Sequence, residues 1–346
     1  MKVVAAVEVD KHACRTYARN FKDRGAPKLY QSDIGKLKPE TLIADCFPTG
    51  LECDLVLGGP PCQGFSVHRI NDAGRDDPRN GLIHRYFSFV SALKPRAFLM
   101  ENVPGLLWER HELPLKRFYS EASRAGYKVM PPVVLDARDF GLPQRRKRVF
   151  ILGIRNGIVL PEKWAPAPTH GSFAKANAEG LRPWVPCKEV FKAAQPGDPN
   201  NIHMSHSPEL VEVFEATPAN GGSRSESGRT LRCHEGYNGH KDVYGRIDPA
   251  KPAPTMTTAC INPSKGRFLH PVQHHGITLR HAARIQTFPD DFVFEGGLMA
   301  GGIQVGNAVP VRLGEIVLRQ LAALLQSDRI SSASHAVKLS LLSAAE

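Results

Sequence analysis

Two periods of apolar residues organise the first 155 positions. Short apolar, β-branched runs at 3–9, 54–57, 97–100, 133–135 and 148–154 predict strands. Between them, 11–21 and 80–93 repeat at helical spacing. The second helix presents Leu82, Ile83, Tyr86, Phe87, Phe89 and Val90 as one broad apolar face, and Lys94-Pro95 ends it. Strands alternating with helices predict a doubly wound α/β sheet, which binds ligands beyond the carboxyl ends of its strands. The pattern lapses after about residue 158. Residues 161–275 are rich in Pro, Gly, His and Ser, and Pro166, Pro168, Pro183, Pro186, Pro196 and Pro199 break any long helix. Eight of the 14 histidines fall between His203 and His281. This stretch predicts a second, smaller, loop-rich domain. Helical spacing returns at 311–325, and the Ser/Ala-rich tail beyond reads as frayed or loosely helical.

Composition narrows the function. With 346 residues, 42% hydrophobic and 23% charged, the chain is globular and long enough for about two domains. It contains no run of about 18 apolar residues, and its start meets Glu8 too soon for a secretory signal, so a cytoplasmic protein is expected. Lys and Arg number 45 against 34 Asp and Glu, a net charge of +11. That surplus favours a polyanionic partner, nucleic acid first, against the plainer reading of a basic soluble protein. Seven cysteines without a CxxC pair argue against a disulfide framework or structural zinc, and make each by default a small buried residue.

Four segments carry chemistry. Gly58-Gly59-Pro60-Pro61-Cys62-Gln63-Gly64-Phe65-Ser66 follows a strand directly, where two prolines stiffen the approach to a thiol and glycines admit a close neighbour. Cys62 reads as a nucleophile, or as a buried cysteine in a tight turn. Glu101-Asn102-Val103 follows the next strand, so neighbouring parallel strands bring Cys62 and Glu101 to one sheet edge. In a pocket that carboxyl keeps a proton; otherwise it caps a helix or faces solvent. In Gln144-Arg145-Arg146-Lys147-Arg148, alternation sends Arg146 and Arg148 to one face and Arg145 and Lys147 to the other. Gly306-Asn307-Ala308-Val309-Pro310 reads as a turn opening the last helix, either a ligand contact or a cap.

Taken together, these residues resemble the DNA cytosine-5 methyltransferase family, in the family's order and through nearly the whole chain. Pro60-Pro61-Cys62-Gln63 is similar to its nucleophile motif, Glu101-Asn102-Val103 to its ENV motif, and Gln144, Arg146 and Arg148 to its Q-x-R-x-R motif. Arg246 with Pro254 and Thr255-Met256-Thr257-Thr258 looks like the motif after the recognition region, and Gly306-Asn307 like the last motif. The resemblance implies a Rossmann-like sheet, S-adenosylmethionine as cofactor, and a cytosine flipped out of duplex DNA. Cys62 would add to C6, Glu101 would hydrogen-bond or protonate N3, and Arg148 with Arg146 would lie near O2. No metal is implied. Glu8 and Val9 would meet the cofactor ribose and Asp33 and Ile34 its adenine, with Leu82, Pro61 and Asn307 completing the site. Read alone, Glu8 is a strand-end carboxylate, Asp33 a turn residue and Leu82 core.

The resemblance further implies a catalytic domain at 1–160 plus 303–330, a target-recognition domain at 161–285, a hinge at 286–302 and a tail at 331–346. Arg224, Arg229, Arg232, Lys241 and Arg246 are candidate DNA contacts, or solvated charges. Cys233-His234 with His240 lacks a fourth metal ligand at suitable spacing. The implied protein is a monomeric, nucleoid-associated prokaryotic modification enzyme acting on double-stranded DNA, with a cognate restriction endonuclease sharing its site. Two rivals are a tRNA cytosine-5 methyltransferase, whose Cys-Phe-Thr tripeptide is missing here, and a non-catalytic DNA-binding remnant. One departure matters: the family's Phe-x-Gly-x-Gly loop, after a central first strand, has no counterpart before Glu8. Open strand edges and poor activity of the chain as written are expected, with an N-terminally extended form active.

Overall fold

The computed structural model describes residues 2–22, 25, 27–48, 51–60, 81–158, 163–228 and 242–343. Its first half runs β1 (Ala5–Glu8), α1 (Lys11–Phe21), β2 (Lys28–Gln31), α2 (Pro39–Cys46), β3 (Leu55–Gly58), α3 (Gly81–Leu93), β4 (Ala97–Asn102), α4 (Glu112–Arg124), β5 (Tyr127–Val129), β6 (Val133–Asp136) and β7 (Lys147–Arg155). β3 and β4 pair in parallel, with Gly58 beside Met100, and β7 runs antiparallel to β4. β5 and β6 both pair with the far side of β7. The architecture is the expected Rossmann-like α/β sheet with helices on both faces.

Alternation along the central strands sorts the core into two layers. Phe98 and Met100 of β4 and Val149 and Ile151 of β7 point toward α3 and α4, where they meet Ile83, Tyr86, Phe87, Phe118 and Ala122. Ala97, Leu99, Phe150, Leu152 and Ile154 point the other way, onto Leu313, Val317, Leu321 and Leu325 of the last helix, α9 (Val311–Ser343). Phe87, Phe98 and Phe118 meet edge to face at 5.6–5.8 Å between ring centres, and Gly153 leaves room for the Phe98 ring. α9 does not stop where its apolar spacing weakens: its backbone stays helical through the segment read as a frayed tail.

The sheet is split. β1 and β2 form their own parallel pair, with Glu8 beside Gln31, and among the described residues no strand joins β1 to β3. α3 bridges the break. Its Phe89 and Leu93 pack with Ala5, Val7 and Tyr30, while Tyr86 and Val90 pack with Val56 and Phe98. Parallel strands of such sheets are ordinarily covered on both faces. Here every residue of β1 is only half-buried and Leu57 of β3 is 51% exposed, whereas β4, paired on both sides, buries five of six. The open strand edges expected are therefore present at β1 and β3 among the described residues.

The second unit holds short elements, as its prolines predict: α5 (Phe173–Glu179), α6 (Pro208–Ala216), α7 (Leu279–Ile285) and α8 (Gly297–Asn307), with two-residue strands at His170–Gly171 and Arg182–Pro183. Its core gathers Ile247, Met256, Ile261, Phe268, Leu279 and Phe294. In the stretch expected to be a hinge, 286–302, Phe288, Phe292 and Phe294 meet at about 5 Å, and α8 begins within it. Arg246, read as a DNA contact, is also corrected. It is 1% exposed and donates to the carbonyls of Thr217, Phe214, His270 and Gln273. Charge alone placed it on the surface; carbonyls at the end of α6 and in the 270–273 segment hold it inside.

Histidines cluster beside Arg246. His203 stacks on His275 at 3.9 Å, and His270 contacts both His275 and His281. Burial, then neighbouring positive charge, pushes His270 down to about 4 and His281 down to about 3. The unfolded chain binds these protons near pH 6.5, so stability is full above that pH and is lost as pH falls toward 4. Each of the two costs about 2 kcal/mol at pH 5 relative to pH 7. Denaturant titration should show a midpoint that drops from pH 7 to 5, and His270→Phe should flatten that drop. Among the described residues, no group of His, Cys, Asp or Glu is placed to hold a metal ion, and no helix is long and apolar enough to cross a membrane.

Candidate active site

Three strand ends build the site. The parallel register sets Gly58 beside Met100, so the chain leaving β3 runs past the end of β4. Asn102 Nδ2 donates to Pro60 O at 3.2 Å and its Oδ1 accepts from Val103 N at 2.8 Å, fixing both chain turns together. A Cβ on Gly59 would stand 3.4 Å from Glu101 Oε2, an ordinary contact, so the turn after β3 lies against the carboxylate. Pro61 and Cys62 lie outside the described residues. Among the described cysteines, burial pushes Cys53 up to about 11 and Cys187 and Cys260 up to about 12, which makes them poor nucleophiles.

Glu101 is brought together with the basic strand. Arg148 Nε lies 2.8 Å from Glu101 Oε1, with the two side chains only 12% and 19% exposed. Burial raises the Glu101 carboxyl above its ordinary value, against the opposing pull of Arg148 and Arg146. Burial likewise lowers Arg148, and it pushes Arg146 down to about 9. A carboxyl so balanced is suited to hold and donate a proton at a sheet edge.

Arg146 is placed differently from the expectation. It shares the Arg148 face, as alternation predicts, but is 1% exposed. Its Nη1 donates to Met256 O at 2.6 Å, and its Nη2 to Gly306 O at 2.7 Å and Ala308 O at 2.9 Å. Its terminal nitrogens are thus committed to the protein backbone, while Arg148 faces Glu101. Gly306-Asn307 is also corrected: it ends α8 rather than opening the last helix, so its amides are already in the helix. Gly306 is glycine because a Cβ there would overlap the backbone of Thr257 and Thr258. Asn307 itself is exposed beside this contact.

Of the expected nucleoside-binding residues, Glu8, Val9, Asp33 and Ile34 lie at the ends of β1 and β2. Glu8 Oε1 accepts from Val9 N at 2.7 Å and Asp10 N at 2.9 Å, which aims the carboxylate out of the strand end. Asp33 Oδ1 accepts from Gly35 N at 2.7 Å. Arg85 of α3 donates to Ile34 O at 2.8 Å and Leu37 O at 2.5 Å, pinning this turn to the helix that carries half-buried Leu82. Arg85 and Asn102 were missed as positioning groups, since neither follows a spacing rule. Gln286 was missed as well. It sits in a buried amide chain in which Gln144 Nε2 donates to Gln286 Oε1 at 2.7 Å, and Gln286 Nε2 donates to Ala308 O at 3.0 Å.

Comparisons with known proteins agree with this geometry. The M1.HphI type II methyltransferase of Haemophilus parahaemolyticus is 33% identical over 316 residues, spanning 90% of this chain and 78% of that protein. The M.NgoFVII type II methyltransferase of Neisseria gonorrhoeae is 30% identical over 310 residues, 89% of this chain and 77% of that one. The crystal structure of a DNA modification methyltransferase encoded within an E. coli prophage has the same fold, with a TM-score of 0.70, 24% identity, and coverage of 94% of this chain and 93% of that one. The model of the C-5 cytosine-specific DNA methylases matches residues 1–323, the span that holds the ion-paired Glu101 and both halves of the sheet, and the chain belongs to that family of S-adenosylmethionine-dependent enzymes.

Proposed function

We propose that this chain methylates C5 of a cytosine flipped out of a specific duplex sequence, with Cys62 as nucleophile. The ion pair of Glu101 and Arg148, one strand from the Pro60-Pro61-Cys62 segment, is the observation that carries the reading. Cys62 Sγ, as thiolate, forms a bond to C6, and the C5=C6 electrons shift to C4–C5 while the N3=C4 electrons move onto N3, from which charge spreads to O2. Glu101 gives a proton or hydrogen bond to N3, and Arg148 faces the charge at O2. S-Adenosylmethionine, when bound, supplies an electrophilic methyl group. Loss of the C5 proton and expulsion of the Cys62 thiolate then restore the aromatic ring. The carboxylates at the ends of β1 and β2 suit the nucleoside end of that cofactor: Glu8, with Val9 beside it, would hold the ribose hydroxyls, Asp33 and Ile34 would hold the adenine, and Leu82, Pro61 and Asn307 would complete the site.

Duplex DNA carrying 5-fluorocytosine tests this directly, because fluorine cannot leave C5 as a proton does. A stable protein–DNA adduct is expected with the native chain and none with Cys62→Ala; an adduct that survives the substitution refutes the assignment.

The open edges of β1 and β3 favour a second reading, a DNA-binding remnant, which predicts no adduct at all. The type II names of the relatives support a modification enzyme with a cognate endonuclease, and we read it as a monomeric, cytoplasmic, nucleoid-associated protein.

A further inference from the structure

Gln144, Arg146 and Arg148 stand on alternate positions leading into β7, yet only the last reaches the Glu101 carboxylate. The other two share the Met256 segment, and Gln144 reaches Ala308 only through Gln286. Gln144 Oε1 accepts from Met256 N at 3.0 Å, and Arg146 Nη1 donates to Met256 O, so the two side chains bracket one residue. On the other side, Arg146 Nη2 and Gln286 Nε2 both donate to Ala308 O. Between the two segments, Gly306 lies against Thr257 and Thr258 with no room for a side chain. Thr255 Oγ1 donates to Arg145 O at 2.5 Å, and Arg145 N donates to Ala253 O at 2.8 Å, closing the remaining side of the junction.

Arg146 pairs directly with no carboxylate among the described residues, and its buried Nε has no hydrogen-bond partner there. Its nearest negative charge is Glu101, whose field it shares with Arg148. A buried guanidinium costs several kcal/mol to desolvate and is a poor choice for strength alone. Its planar fork can, however, hold three carbonyls from separate segments at fixed angles, as an ammonium cannot.

We infer that Arg146 is a positioning residue: its fork ties the Gly306–Asn307 end of α8 and the Met256 segment to β7, and so sets the Asn307 turn relative to Glu101. The inference rests on the function proposed above, because Asn307 is given the cofactor and Glu101 the base. It predicts that one side chain, touching neither, controls both.

The test uses the full chain with Arg146→Lys and Arg146→Met, read by amide hydrogen exchange and by calorimetric titration of S-adenosylhomocysteine. Exchange at 253–258 and 304–309 should accelerate together by tenfold or more in both variants, since a lysine cannot span the three carbonyls. Cofactor-product affinity should fall tenfold or more, and KM for S-adenosylmethionine should rise as kcat falls. Unchanged exchange in these two segments overturns the inference whether or not the native chain binds the cofactor, so it is separable from failure of the proposed function. Lost adduct formation with full product affinity also overturns it, because that pattern marks a residue contacting the base. A variant that fails to fold is replaced by Gln286→Leu, which removes the neighbouring tie to Ala308; faster exchange confined to 304–309 is then expected, and none there refutes the shared junction.

Discussion

Glu101→Gln should lower methyl transfer to duplex DNA by about 100- to 1,000-fold, with S-adenosylhomocysteine affinity unchanged. The amide keeps the shape of the carboxyl and can still donate a hydrogen bond, but it has no acidic proton to deliver to N3 as charge enters the ring. The stability consequence has its own sign. Arg148 is 12% exposed and faces Glu101 at 2.8 Å, so the amide leaves a nearly buried cation without its counter-charge. A loss of about 2 kcal/mol is expected from denaturant titration. Arg148→Met in the Glu101→Gln background should recover much of that stability and none of the activity, because a buried charge without a partner is then removed. A Glu101→Gln enzyme that keeps more than a tenth of native kcat denies the carboxyl its role with the base.

The positions that were legible beforehand are those where a local rule and a tertiary need coincide. Glu101 was placed by counting one strand–helix–strand step from Cys62, and the parallel register of β3 and β4 is that step. The shared face of Arg146 and Arg148 follows from period-two alternation alone. What alternation cannot tell is how deep a face lies. Arg146 and Arg246 were read as reaching ligand or DNA because arginine is ordinarily exposed, and both are 1% exposed and bound to carbonyls. The demand that holds them comes from helix-end and loop backbones that have no strand partners, and those are invisible until the chain is folded. β2 escaped notice because Lys-Leu-Tyr-Gln has only four residues and no apolar run. α2 was legible in principle, since Pro39-Glu40 is a usual helix opening. Gly306-Asn307 was misread because a glycine can mean a turn or a close contact, and only the position of Thr257 decides.

Asp198→Ala should be the most destabilising single change in the second unit, by about 3–5 kcal/mol. Arg280 on α7 has a fully buried side chain, and Asp198 grips it through both oxygens, from Nε at 2.5 Å and from Nη2 at 3.0 Å. The same guanidinium donates to Pro289 O at 3.2 Å and Phe292 O at 2.9 Å, so one charge pair joins the 198 turn, α7 and the aromatic segment after it. Asn200 adds a second tie, exchanging hydrogen bonds with Phe294. Arg280 holds Asp198 below the usual carboxylate range even though burial pushes the other way. That contribution is full above the ordinary pKa of an aspartate and fades as pH falls through the lowered value, so the cost of Asp198→Ala should shrink in acid. Removing the carboxylate strands a cation that solvent cannot reach, whereas removing both charges does not. Asp198→Ala with Arg280→Met should therefore be more stable than Asp198→Ala alone, though the carbonyls of Pro289 and Phe292 lose their donor. Thermal unfolding followed by calorimetry should place Asp198→Ala roughly 10 °C below the native chain. A loss within about 1 kcal/mol would mean that the carbonyls alone suffice to hold Arg280, and that the pair serves geometry rather than stability.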